Sequence, residues 1–248
     1  LRIGVNKIEA AVADHRGNGT RAAIEVTRYP AVLNPQNRYA LLIGQGSAEA
    51  QASVARLQAT MTSPYKGQFA ADSVTAISSS TMTRPAIEDA LRTFGTRPLD
   101  GELAVIYLSC EGKAGDLTIA GTDLSLDQFV DTARKSLATT EVVFLADIAW
   151  AGSAASDANV AALLPSLPQR WAFLPSQRKI APTLATDGMP VFASAIESVY
   201  ENKSGETRLT LERFIDAISA ETEAKSQSKM TPRYAGRYNP AITMLEKE

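Results

Sequence analysis

Cysteine and histidine are almost missing from this chain: Cys110 and His15 are the only ones in 248 residues. One cysteine excludes internal disulfides and any cysteine-cluster metal site, and one histidine excludes the usual His-rich sites. The compartment stays open, because a single thiol suits either redox condition. Neither sign of charge dominates, with 25 Lys plus Arg against 27 Asp plus Glu and a formal net charge of −2. No half of the chain is basic, so nucleic acid is not an indicated partner. Long apolar runs are also missing. The longest, "VVFLADIAWAG", is broken by Asp147 and falls short of the roughly 18 to 20 residues of a membrane span. There is no G-x-x-x-x-G-K-[ST], no G-x-G-x-x-G after a strand and no H-E-x-x-H. Nucleotide and zinc chemistry thus lose their usual signatures, and the expectation is no cofactor and no metal. Leu at position 1 is compatible with removal of a leader or of a longer N-terminal part.

What the chain does have is alternation. Leu1-Ile3-Val5 and Ile24-Val26 flank the turn-rich "DHRGNGT", which predicts a β-hairpin. "YPAVLNPQNRY", with two prolines and two asparagines, reads as a connector. The expected organisation is a hairpin-like appendage and connector over residues 1–36 and a main domain over 37–248. Within the latter, the short apolar runs "YALLIG", "SVTAIS", "LAVIYLS", "VVFLA" and "WAFLP" lack strict polar alternation. Such runs suit strands buried on both faces of a parallel sheet. Ile87, Ala90, Leu91 and Phe94 repeat at helical spacing, with Pro85 in the first turn and Gly95 at the end. Leu126, Phe129, Val130, Ala133 and Leu137 do the same behind Ser125 and Gln128, a Ser-x-x-Gln capping box. Residues 191–199 and 211–218 carry the same period. Strands alternating with helices predict an α/β fold with an open sheet and helices on both faces.

Chemistry in such sheets gathers beyond the carboxyl ends of the strands. Two runs finish on small, polar and acidic residues: "YLSCEG" (107–112) and "LADIAWAG" (145–152). The pattern resembles the caspase-like cysteine peptidases, in the style of their bacterial and metacaspase branch. "SCEG" occupies the place of a strand-ending Ser-Gly-His-Gly, and "DIAWAG" that of Asp-x-Cys-x-x-Gly. "GDLTIAGTDLSLDQF" resembles the segment after the family's histidine, and "LTLERFIDAI" with "TPRYAGR" resembles the terminal helix and tail. The resemblance covers about Tyr39 to Tyr238. It implies a three-layer α/β/α sandwich with a mostly parallel sheet of about six strands.

The departures fall on the reacting groups. Glu111 stands where the family has its histidine base, and Ala149 where it has its nucleophilic cysteine. Acyl transfer needs a thiolate and an imidazole, and a methyl group supplies neither. The resemblance therefore implies a pseudopeptidase that binds a protein or peptide. A second copy or a related active peptidase is the partner suggested by analogy. An engineered trap would normally keep its histidine, so Glu111 and Trp150 favour natural degeneracy over a laboratory Cys-to-Ala change. The alternative is an active peptidase, trapped by that change or rebuilt from Glu111, Asp147 and Cys110.

Each singled-out residue has a plainer reading. Cys110 is a relocated nucleophile or a small apolar residue at a strand end. Asp147 matches the family position that holds a basic side chain before the cleaved bond, or it caps a turn. Glu49, in "GSAEAQ", matches a second acidic pocket position in a short loop. Trp150 plugs the cleft, meets a partner or packs in the core. Glu111 and Asp147 together could form a carboxylate pair for acid–base work or for Ca²⁺. A rigid block within a larger assembly is a third role.

Overall fold

The computed structural model describes residues 4–13, 19–28, 37–97, 102–113, 118–138, 140–151, 167, 170–176, 178–179, 184–185, 187–202, 208–230, 232 and 234–246. The chain divides into two compact units, Leu1–Leu33 and Asn34–Glu248. In the first, β1 (Gly4–Ala13) and β2 (Gly19–Arg28) pair antiparallel, with Ile8 opposite Ile24. The hairpin expected from the two alternating stretches is present. His15 lies outside the described residues.

The second unit opens with β3 (Arg38–Gln45), α1 (Ala48–Thr62) and β4 (Val74–Ser79). It continues through α2 (Arg84–Phe94), β5 (Leu103–Lys113), β6 (Thr118–Ile119), α3 (Leu126–Ser136) and β7 (Glu141–Ala151). After β7 come β8 (Trp171–Pro175), β9 (Arg178–Lys179), α4 (Val191–Asn202), β10 (Arg208–Thr210) and α5 (Leu211–Lys225). The chain ends on β11 (Ala235–Arg237) and β12 (Thr243–Glu246). Among the described residues the main sheet has eight strands, six of them in the continuous order β11-β8-β7-β5-β3-β4, with β6 beside β5 and β9 beside β7. Among the described residues only β11 and β6 run antiparallel to their neighbours in this sheet. A separate two-stranded pairing joins β10 to β12.

The apolar runs bury as their composition demands: Leu41, Leu42, Ile43, Ile106, Leu108, Phe144 and Leu145 are all fully buried. Helices cover both faces. On one, Val54 and Leu57 of α1, Phe192 and Ile196 of α4 and Phe214 and Ile218 of α5 pack against Leu42, Val105, Tyr107 and Leu145. On the other, Ile87 and Leu91 of α2 and Phe129 and Val130 of α3 pack against Leu41, Ile106, Leu108 and Phe144. The α/β fold with a mostly parallel sheet in a three-layer α/β/α sandwich is thus established. The chain runs outward from β3 to β4 through α1, then back past β3 to β5 through α2 on the opposite face. This reversal makes the carboxyl ends of β3 and β5 a topological switch point, where open sheets place their sites.

Local chemistry sets the helix ends. Ser125 and Gln128 form the capping box at the start of α3, with both reciprocal hydrogen bonds present. Gly95 has φ −64°, so it is not needed for a left-handed turn at the end of α2. A Cβ there would stand 2.3 Å from Ser136 Cβ, so the glycine lets the ends of α2 and α3 touch. Arg38 secures the opposite end of the sheet by donating to Met244 O (2.5 Å) and Gln68 O (3.1 Å) and lying over the Phe69 ring.

Candidate functional site

The two stretches that end apolar runs do not end their strands. β3 stops at Gln45 and β8 at Pro175, but β5 and β7 stay paired from Leu103↔Glu141 to Lys113↔Ala151. The extension survives because its outer edges find partners. β6 covers Gly112 and Lys113, and β9 covers Ala149 and Trp150. The expected display loops are therefore a projecting ledge of sheet, and Glu111 and Ala149 sit on a rung of it rather than on loops.

Glu111 and Ala149 are register partners on this ledge, one rung beyond Cys110↔Ile148 and two beyond Ser109↔Asp147. Strand residues alternate between faces. Tyr107 and Leu145 belong to the core beneath α1, α4 and α5, whereas Leu108, Cys110, Ala146 and Ile148 belong to the core beneath α2 and α3. Alternation thus puts Ser109, Glu111, Asp147 and Ala149 together on the α1 side. Cys110, 3% exposed, faces the other way. On the α1 side burial falls off outward: Asp147 is 0% exposed, Ser109 1% and Ala149 7%, while Glu111 is exposed. The Tyr107 hydroxyl donates to Asp147 Oδ2 over a long 3.4 Å.

Neighbouring segments close in on the inner rung. Gly44 is level with Ser109, and a Cβ on it would meet Ala50 O at 2.7 Å, so the first turns of α1 rest directly on this strand end. Ser47 starts that helix by accepting from Ala50 N at 3.2 Å. Glu49 is half-buried in the first turn of α1, not in a loop, where its charge favours the positive helix end. Beyond β8, Ser176 N donates to Ala146 O at 2.8 Å, and Ser176 is 1% exposed. The hydroxyls of Ser109 and Ser176 have no hydrogen-bond partner among the described residues.

Sequence reasoning missed the clamp that fixes the ledge. Gln45, 3% exposed at the end of β3, donates through Nε2 to Ala120 O (2.9 Å) and Met82 O (3.2 Å). Ala120 N in turn donates to Glu111 O at 2.8 Å. One amide thereby holds the turn after β6 against the strand carrying Glu111. A glutamine closing an otherwise apolar strand, "YALLIGQ", is the signal that could have found it.

The α1-side surface of the ledge offers an exposed carboxylate beside a methyl group, over a buried hydroxyl and a buried carboxylate. It can accept hydrogen bonds and attract a cation, but no thiol or imidazole of the described residues shares that surface. Glu111 and Asp147 lie on the same side but two rungs of register apart, one exposed and one buried. Among the described residues no group of three or more His, Cys, Asp or Glu could hold a metal ion. Among them, too, no helix is long and apolar enough to cross a membrane. The backbone of Trp150 is level with Gly112, while its side chain and residues 152–166 lie outside the described part. No protein-family model matches this chain, and no curated protein is significantly similar to it.

Proposed function

We propose that this chain is a catalytically inactive, caspase-like domain that binds a protein or peptide segment on the β5–β7 ledge. The observation that carries the reading is the rung Glu111↔Ala149. The two positions where the resemblance requires a base and a nucleophile are separated by 38 residues of sequence, yet they are neighbours on one surface. A substituted dyad that is still assembled gives recognition without bond cleavage. The ligand is a segment with a basic side chain. Glu111 is the carboxylate it meets at the surface, with the largely buried Ala149 methyl beside it and Asp147 buried inward. The partner is a client protein, a second copy or a related active peptidase, with the three-residue edge strand β11 as a further pairing edge.

Cys110 is a poor substitute nucleophile in this reading, because it is packed under α2 and α3 on the side away from Glu111. Arg- and Lys-ending fluorogenic peptides are expected to show no turnover, with or without calcium. The same peptides are expected to bind saturably, as read by fluorescence anisotropy. Ala149→Trp, which fills the rung, should weaken binding about tenfold or more, the size of one lost well-packed contact. Turnover that Cys110→Ser abolishes would overturn the proposal, and so would binding indifferent to both Ala149→Trp and Glu111→Gln.

A further inference from the structure

Gln45 closes a strand whose preceding residues Ala40, Leu41, Leu42 and Ile43 are fully buried and apolar, and it is itself 3% exposed. Ile43 belongs to the core beneath α2 and α3, and alternation turns Gln45 to the same side. There Nε2 uses both of its hydrogens, on Ala120 O and on Met82 O. Oε1 is buried without a hydrogen-bond partner among the described residues. A buried carbonyl left unpaired is destabilising, so the side chain carries a cost in order to hold two carbonyl groups of distant segments.

One of those segments leads to Glu111. β6 has two rungs on β5, Gly112↔Ile119 and Lys113↔Thr118, and Ala120 N adds a third tie by donating to Glu111 O at 2.8 Å. The chain turns at once through Gly121, with φ +75°, where a Cβ would stand 3.4 Å from Gln45 Nε2. The other flank of Glu111 is held by its pairing with Ala149. Losing the Gln45 amide therefore loosens the flank of Glu111 that β7 does not hold. Glu111 and Ala149 are on the α1 side of the sheet, so Gln45, on the α2 and α3 side, cannot touch a ligand bound there.

We infer that Gln45 is a positioning residue for the ledge, fixing Glu111 from the opposite side of the sheet for the basic side chain of the bound segment. The inference rests on the ledge reading and goes beyond it, because affinity then depends on a residue that never meets the ligand. The coupling runs from Gln45 Nε2 through the Ala120 peptide to the backbone of Glu111.

Two measurements on the intact chain test it: hydrogen exchange of the Ala120 amide, and anisotropy titration with an Arg-ending fluorescent peptide. Gln45→Leu is expected to speed exchange at Ala120 and to weaken peptide binding about fivefold or more, the worth of one net hydrogen bond. In a Glu111→Gln background the same substitution should change binding little, because Gln45 acts through Glu111. Gln45→Glu supplies a test within one folded variant. The introduced carboxyl is buried against two carbonyl oxygens, which raises its pKa above the ordinary value of about 4.3. Protonated, it donates to one of them; ionised, it repels both. Affinity relative to the parent at the same pH should be highest below that raised pKa and fall as pH rises through it. Unchanged exchange in Gln45→Leu overturns the inference even if the parent binds. Faster exchange with unchanged affinity, an equal loss in the Glu111→Gln background, or a flat relative affinity in Gln45→Glu would overturn it as well. A parent that binds no peptide, with the exchange response present, would sink the ledge reading and this inference with it.

Discussion

Replacing Phe144 with alanine is expected to lower unfolding stability by about 3–5 kcal/mol. Phe144 is fully buried on β7, on the face covered by α2 and α3. Its ring stacks on Phe129 of α3 with centroids 5.3 Å apart and 18° between planes. It also tilts against Phe173 of β8 at 5.1 Å and 32°. Truncation removes the middle ring of a three-ring column joining a helix to two strands, and neither partner can follow it without leaving the sheet or its own helix. Typical domains hold only about 5–15 kcal/mol in total, so the loss is a large fraction of what keeps the ledge paired. A urea unfolding curve measures it. Tyr65, 80% exposed, is the control, and its alanine variant should stay within about 0.5 kcal/mol of the parent. A loss at Phe144 no larger than that control would contradict the packing described.

Arg56→Ala is expected to cost less, about 1–3 kcal/mol, and to do so in a pH-dependent way. Arg56 reaches from α1 to Asp187 (2.9 Å) and Glu197 (2.8 Å), and Thr60 Oγ1 also donates to Glu197 at 3.3 Å. The Glu197 side chain is 9% exposed, so removing the guanidinium leaves a largely buried carboxylate without its cation. The 42% exposure of the Arg56 side chain keeps the figure below that of a fully buried pair. For Asp187, burial alone would raise the carboxyl pKa, but the Met189 N–H and the Arg56 charge outweigh it and hold the pKa below the usual range. A carboxyl lowered in the folded state stabilises the fold at pH above its unfolded value and loses that contribution as pH falls through the folded value. The penalty of Arg56→Ala should therefore be largest near neutrality and shrink below about pH 4, the ordinary carboxyl range. Paired urea titrations across that range measure the change. A penalty that grows on acidification would contradict the network.

Much of this architecture is legible in the chain because burial on both faces leaves a mark that turns and edges do not. "WAFLP" is β8 residue for residue, and Ser125 with Gln128 marks the start of α3. The length of β5 and β7 was not legible. Past Ser109 and Ala146 their text turns polar and small, which reads as a loop, yet pairing continues because β6 and β9 satisfy the edges. Helix α1 was hidden for the opposite reason. "AEAQASVARLQATMT" is rich in alanine and polar residues, and its stripe of Ala50, Val54, Leu57 and Met61 is thin. Overlooking it left Glu49 in a loop. Side-chain direction at the candidate site follows from strand parity once the register is known, and parity separates Cys110 from Glu111. The Gln45 clamp joins segments distant in sequence, so no local pattern records it.

The double substitution Glu111→His with Ala149→Cys tests most directly whether the ledge is a reaction cleft that has lost only its reacting groups. The two side chains would stand on one rung, within reach of a shared substrate carbonyl. Turnover of Arg- or Lys-ending fluorogenic peptides should appear in the double variant and stay absent from either single variant and the parent. A double variant with an unchanged urea midpoint that neither binds nor cleaves these peptides would contradict the account.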